Sequence, residues 1–110
     1  MKTEYMREYT IELYEIYKEL LTSKQRKYFE NYYFEDLTLS EIAENFRVSR
    51  QAVQTALQKS SENLGRFERA LKIHEKRSYR VQVLKELEEA VRKTPYYSRV
   101  SGLTEKIKGS

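Results

Sequence analysis

The sequence contains no cysteine and no tryptophan, and it has only one proline, three glycines and one histidine. Without cysteine the chain can form neither a disulfide bond nor a thiolate metal site, which fits a protein of the cytoplasm. Helix formers dominate, and no segment alternates polar with apolar residues as a strand would. The composition therefore predicts an all-α fold.

Long apolar runs and recognisable catalytic groupings are also absent. No stretch approaches the roughly 18 apolar residues that a membrane-spanning helix needs, and residues 1–9 lack the apolar segment of a signal peptide. The single histidine, His74, has no second histidine or cysteine with which to share a metal, and there is no glycine-rich phosphate loop. We expect no membrane association, enzymatic activity, cofactor, metal or small-molecule substrate.

Charge is distributed unevenly along the 110 residues, although the formal net charge is only +4. Residues 1–48 carry seven basic and ten acidic side chains, whereas residues 49–110 carry fourteen basic and seven acidic ones. A basic surface attracts the phosphates of nucleic acids, but a solvated helix face can have the same composition. The charge pattern alone does not separate these interpretations.

Helical periodicity begins near Thr3 and continues to Leu21, with an acidic outer face. Its predicted inward residues are Met6, Tyr9, Leu13, Ile16, Tyr17 and Leu20. Capping boxes at Thr22–Gln25 and Thr38–Glu41 then predict two more helices, over about 23–34 and 39–46. Ser49 is the N-cap of a fourth helix that begins at Arg50.

Beyond Ser60 the helical pattern continues with leucines seven residues apart at Leu57, Leu64 and Leu71, and His74 falls on the same stripe. A further helix is predicted over about 78–93, because Thr94-Pro95 stops it. We expect one helical domain over 1–95 and a flexible C-terminal tail over 96–110. The fold would be a three-helix core of helix-turn-helix type, with an added N-terminal helix and long basic C-terminal helices.

The segment 39–59 has the pattern of a helix-turn-helix motif, in which two short helices are joined by a tight turn. Ala43 is small where the helices cross, Val48 fills the space beneath the turn, and Val53 packs the second helix against its partners. This packing turns a polar row toward solvent. Arginine can pair bidentately with guanine and glutamine with adenine, so the row suits the reading of base edges.

The candidate nucleic-acid-binding residues lie on and around that second helix. The exposed row consists of Arg50, Gln51, Gln54, Thr55 and Gln58. Ser49 offers a hydroxyl and the free N–H groups of a helix start to a phosphate. Backbone contacts can be added by Lys24, Arg47 and Lys59. A solvated helix face and a protein-binding surface remain alternatives, and the target can be DNA or RNA.

The motif residues resemble region 4 of bacterial sigma factors, which reads a promoter element with its last helix. The similar segments are LTSKQR at 21–26, LSEIAE at 39–44 and VSRQAV at 48–53. Sigma region 4 usually has glycine at the turn, where this chain has Arg47, and the chain is too short to include sigma region 2. We therefore expect a protein related to that region rather than a sigma factor.

The closer resemblance is to the YlxM family of small proteins from Gram-positive bacteria and mycoplasmas, and it covers about residues 10–75. It is carried by LLTSKQ at 20–25, Tyr32-Tyr33 followed by acidic residues, SEIAE at 40–44 and VSRQAV at 48–53. This resemblance implies a regulatory helix-turn-helix protein linked to the signal recognition particle, a link that rests largely on neighbouring genes. The alternative that it implies is an interaction module that binds the particle's GTPase or RNA without sequence-specific DNA binding.

The apolar residues exceed what so small a core can cover, which predicts a homodimer. The first helix is aromatic and apolar on one side, and the stripe through Leu57, Leu64 and Leu71 is long. In a dimer, paired recognition helices can enter successive major grooves of duplex DNA.

Overall fold

The computed structural model describes residues 4–109 of the chain. These residues form six α-helices and no β-strand. A 3-10 turn at Lys18–Leu20 follows the first helix. The helices are α1 Glu4–Tyr17, α2 Ser23–Tyr33, α3 Leu39–Phe46, α4 Arg50–Leu71, α5 Ile73–Val91 and α6 Tyr97–Lys108. The all-α prediction is confirmed, while the predicted helix start at Thr3 lies outside the described residues.

Both predicted capping boxes are present and fix the starts of α2 and α3. The Gln25 N–H donates to the Thr22 hydroxyl at 3.1 Å, and the Thr22 N–H donates to the Gln25 side chain at 3.0 Å. Thr38 and Glu41 repeat the arrangement at 3.1 and 2.9 Å. The backbone N–H of Thr38 also lowers the pKa of the Glu41 carboxyl, because it donates to the charged form.

The chain divides by its internal packing into two compact units, and the division falls between Lys72 and Ile73. Lys72 takes a left-handed conformation (φ 55°) that ends α4, and its N–H donates to the Glu68 carbonyl at 2.7 Å. His74 therefore lies on α5, so the prediction that it continues the stripe of α4 is wrong. The single domain over 1–95 stays a prediction.

Aromatic side chains form much of the core of the first unit. Phe29 is 0% exposed and lies between Tyr14 and Tyr33, with ring-centroid distances of 4.2 and 4.3 Å. The Tyr17 hydroxyl donates to the buried carboxylate of Glu68 at 2.7 Å, which joins α1 to α4. Stacked rings and a satisfied buried carboxylate thus hold the acidic first helix in place.

The inward face of α1 differs in part from the prediction. Leu13 and Tyr17 are buried as expected, but Met6 and Leu20 are more than half exposed. Tyr14, which is absent from the predicted face, is 1% exposed. The buried face is therefore rotated toward Tyr14, because stacking on Phe29 buries a whole aromatic ring.

The second unit is a pair of helices, α5 and α6, with a thin contact surface. Leu84 and Thr104 are its buried residues within the described range. The Thr104 hydroxyl donates to the Glu88 carboxylate, which lowers the pKa of Glu88, and the Lys108 Nζ approaches the same carboxylate at 3.3 Å. These contacts order a helix over most of the segment 96–110, which the sequence predicts as a flexible tail.

Tyr14 makes the stability of the fold sensitive to alkaline pH. Burial, followed by the hydrogen bond to Glu30, raises the pKa of its hydroxyl far above the usual value. The unfolded chain ionises this group above pH about 10, whereas the folded chain keeps it neutral. The neutral Tyr14 hydroxyl therefore makes its full contribution to the free energy of unfolding below pH about 10, and this contribution is lost as the pH rises further.

We expect Tyr14→Phe to flatten the decline of unfolding free energy above pH about 10, because the ionising group is removed. Urea unfolding at neutral pH and in this alkaline range measures the slope. Tyr5→Phe, at a 77% exposed position on the same helix, is the control and should keep the wild-type slope. Equal slopes for all three proteins would contradict this account of Tyr14.

Candidate nucleic-acid interface

The turn between α3 and α4 is closed by backbone hydrogen bonds. The Val48 N–H donates to the Ala43 carbonyl at 3.0 Å, and the Arg47 N–H donates to the Glu44 carbonyl at 3.3 Å. This pair is the Schellman arrangement, which needs a left-handed residue after the helix. Arg47 supplies it with φ 55° and ψ 46°. The turn that the sequence predicts at Arg47-Val48 is therefore confirmed.

Ser49 begins α4 as predicted. Its hydroxyl oxygen accepts a hydrogen bond from the Ala52 N–H at 3.0 Å. A serine hydroxyl has one hydrogen to donate in addition to its acceptor sites. Ser49 can therefore cap the helix and donate to a phosphate at the same time, next to the positive end of the helix dipole.

The buried side of α4 determines which side chains face solvent. Val53 and Leu64 are 0% exposed, and Leu57 is 8% exposed. Ala43, at 6%, is buried on α3, while Val48 is only half-buried. The packing predicted for Ala43 and Val53 is confirmed, so the opposite side of α4 is open to solvent.

The structure places every predicted interface residue at the surface. On α4 the exposed side chains are Arg50, Gln51, Gln54, Thr55, Gln58 and Lys59. Ser49 and Arg47, immediately before α4, are exposed as well. Lys24 is exposed on α2, where its Nζ lies 5.9 Å from the ring centroid of Tyr28. By helical spacing, residues 50, 51, 54, 55 and 58 share one side of α4, Lys59 lies further around that helix, and Lys24 belongs to a different helix.

Hydrogen bonds within the row join side chains one helical turn apart. The Gln51 amide donates to the Thr55 hydroxyl at 3.3 Å, and the Gln58 amide donates to the Glu62 carboxylate at 3.4 Å. Both contacts are exposed and long, so a base edge can replace them at small cost.

Glu62 is a feature of this surface that the sequence analysis missed. Its carboxylate is exposed beside Gln58 and opposes a phosphate at that end of the row. The spacing of four residues from Gln58 was the available indication. The other exposed charges of α4 are cationic, at Arg50, Lys59, Arg66 and Arg69. Glu68, the remaining acid of the helix, is buried against Tyr17.

Arg47 offers a test that separates stability from binding. Its left-handed backbone costs a residue with a Cβ about 1 kcal/mol. We expect Arg47→Gly to raise the free energy of unfolding by up to about that amount. If Arg47 contacts a phosphate, the same change reduces the slope of log affinity against log salt by about one.

Urea unfolding and salt-dependent binding measurements check the two halves of this prediction. Arg47→Lys is the control, because it keeps both the charge and the backbone cost, and it should retain both wild-type values. An unchanged salt slope for Arg47→Gly would remove Arg47 from the interface.

Within residues 4–109, no group of three or more His, Cys, Asp or Glu side chains is placed to hold a metal ion. Over the same range, no helix combines the length and apolar character needed to span a bilayer.

The geometry from Thr38 to the exposed side of α4 defines a helix-turn-helix protein, with α4 in the position of the recognition helix. A family model described as "Putative helix-turn-helix protein, YlxM / p13 like" (UPF0122) matches residues 3–101. The chain belongs to this family.

Relatives within the family align over most of the chain. A UPF0122 protein of Halalkalibacterium halodurans is 40% identical over 95 residues, which cover 86% of this chain and 87% of that protein. A UPF0122 protein of Mycoplasma capricolum is 44% identical over 70% of this chain and 68% of its own length. A third, from Ureaplasma urealyticum, is 49% identical over 66% of this chain and 73% of its own length.

Proposed function

We propose that the chain is a non-enzymatic regulator of the cytoplasm that binds nucleic acid through the exposed face of α4. The observation that carries this proposal is the row from Arg50 to Gln58, exposed on a helix whose other side is sealed by Val53, Leu57 and Leu64. Guanidinium and amide groups read base edges, while Ser49, Arg47 and Lys59 hold the phosphates. Lys24 adds a contact from α2.

The helix-turn-helix family supports nucleic acid as the ligand, and the identity of the target is a further proposal. The major groove of duplex DNA admits a helix, whereas RNA offers unpaired bases. Crosslinking in cells, followed by purification and sequencing of the bound DNA and RNA, tests the proposal. We expect enrichment of a limited set of sequences that is lost when Arg50 and Gln54 are both changed to alanine. Recovery of the same sequences from the double variant would refute it.

We also propose an association with the signal recognition particle, on the resemblance to the YlxM family. This proposal has two forms, which differ in the surface of the chain that binds the particle. If the particle's RNA is bound through α4, then Arg50→Ala with Gln54→Ala abolishes its capture. If the particle's GTPase binds elsewhere on the chain, the double variant still captures that protein. Mass spectrometry of crosslinked partners from both strains separates the two forms.

A homodimer is proposed on the exposed apolar side chains of the two units. In the first unit, Leu71 at the end of α4 is 47% exposed. In the second unit, Tyr79, Val83 and Leu87 lie four residues apart on α5 and are all exposed, so they share one face. Sedimentation tests this proposal: Val83→Glu should yield a monomer, whereas Lys85→Glu, which adds the same side chain at an exposed position away from this face, should not change the mass.

A further inference from the structure

A groove in the first unit lies beside the polar row of α4. It has a volume of about 360 Å³ and is lined by Tyr32, Tyr33, Leu39, Gln54, Leu57, Gln58, Ser61 and Glu62. Its floor is apolar, since it contains tyrosine rings and leucine side chains, and its rim is polar. This size and lining are those of a small-molecule site rather than of a protein-binding surface.

Two lining residues belong to the proposed nucleic-acid interface as well. Gln54 and Gln58 are exposed members of the row, and both border the groove. A strand that contacts the row therefore passes the mouth of the groove. The continuity of the two surfaces makes a component of nucleic acid the occupant for which the groove is positioned.

The charge of the residues that line the groove indicates which part of a nucleotide the groove can hold. None of the lining residues is lysine or arginine, and Glu62 places a carboxylate at the rim. A phosphate would be repelled there, whereas an exocyclic amino group of a base can donate to a carboxylate and to amide oxygens. The lining thus favours a base and leaves its phosphate outside the groove.

Tyr32 provides an aromatic ring at this position. It is half-buried and meets Tyr33 edge to face, with ring centroids 5.0 Å apart. Tyr33 is itself 6% exposed and stacked on Phe29, which fixes it in the core. Unpaired bases bind proteins by stacking on half-exposed tyrosine rings of this kind.

We propose that the groove between α2, α3 and α4 holds one unpaired nucleobase with an exocyclic amino group, such as cytosine, stacked on Tyr32 and hydrogen-bonded to Glu62. This inference rests on the proposed function and specifies it further. The row holds the strand, and the groove selects strands in which a base is free of its partner. Duplex without an unpaired base uses the row alone.

NMR titration of the full chain with cytidine monophosphate, uridine monophosphate and ribose 5-phosphate tests the groove directly. We expect the side-chain amide signals of Gln54 and Gln58 to move with cytidine monophosphate, less with uridine monophosphate, and not with ribose 5-phosphate. Glu62→Gln should narrow the difference between the two nucleotides, because uracil has a carbonyl group where cytosine has the amino group. Shifts that ribose 5-phosphate reproduces would overturn the proposal.

Binding of oligonucleotides separates the groove from the row. We expect Tyr32→Leu to weaken binding of single-stranded RNA and DNA at least about tenfold while leaving duplex DNA nearly unchanged, and Tyr32→Phe to keep wild-type affinity. If Tyr32→Leu has no effect while Arg50→Ala with Gln51→Ala, two row residues that do not line the groove, still weakens binding, the groove proposal fails and the proposed function stands. If only Tyr32→Leu weakens binding, the row fails and the groove stands. Comparison of single-stranded RNA with single-stranded DNA shows which sugar the binding site tolerates.

Discussion

Arg50→Ala combined with Gln54→Ala should reduce affinity for the selected nucleic acid at least about 30-fold. Each side chain can pair bidentately with a base, and each such pair is worth roughly 1–3 kcal/mol of discrimination. Both residues are exposed on α4, so their loss should change the free energy of unfolding by no more than about 0.5 kcal/mol. Fluorescence anisotropy at several salt concentrations, together with urea unfolding, measures both quantities.

A matched control removes the same two residue types elsewhere. Arg99→Ala with Gln82→Ala changes exposed side chains of α6 and α5 and alters the net charge equally. Only the long-range field of the protein then changes, so affinity should fall by no more than about threefold. An equal loss in both double variants would show that general positive charge, rather than the row, determines binding.

Phe29→Ala should reduce the free energy of unfolding by about 3–5 kcal/mol, which is a large share of the total for a small domain. Phe29 is 0% exposed, and its ring is stacked between Tyr14 and Tyr33. Truncation leaves a cavity at the junction of α1 and α2 and removes both stacking contacts. Thermal and urea unfolding measure the loss, which corresponds to a decrease of at least roughly 12 °C in Tm.

Phe34→Ala is the control for this prediction, because it removes the same atoms at a position that is 43% exposed. Its ring centroid lies 5.9 Å from that of Tyr14 and 6.2 Å from that of Phe29, at the edge of the cluster. Only part of its surface leaves water on folding, so we expect a loss near 1 kcal/mol, about a third or less of the Phe29 effect. Comparable losses at the two positions would contradict the central role of the Phe29 stack.

The elements around the turn could be predicted because their signals are local. Thr38, Glu41 and Ser49 fix helix starts through hydrogen bonds within three residues, so sequence spacing alone identifies them. Ala43 and Val53 follow from helical periodicity once those starts are known. The exposure of the row is then a consequence of that register, and for this reason the sequence alone identifies the residues of the candidate interface.

The structure differs from the sequence-based predictions where tertiary contacts, rather than the local sequence, determine the conformation. Lys72 ends α4 without a glycine or proline to indicate the stop, so the sequence pattern predicts that the stripe continues to His74. Helix α6 depends on contacts of Thr104 and Lys108 with Glu88, which lies 16 or more residues earlier. The groove beside Gln54 combines three helices, so its lining could not be assembled from spacing along the chain.

Photocrosslinking from a single position gives the most direct test of where this protein meets a polyanion. A benzophenone amino acid in place of Gln51 samples the outer face of α4, and the same group in place of Glu8 samples the exposed side of α1. We predict nucleic-acid adducts from position 51 that diminish as salt is raised, and none above background from position 8. Adducts from position 8 alone, or equal yields from both positions, would contradict the assignment of binding to α4.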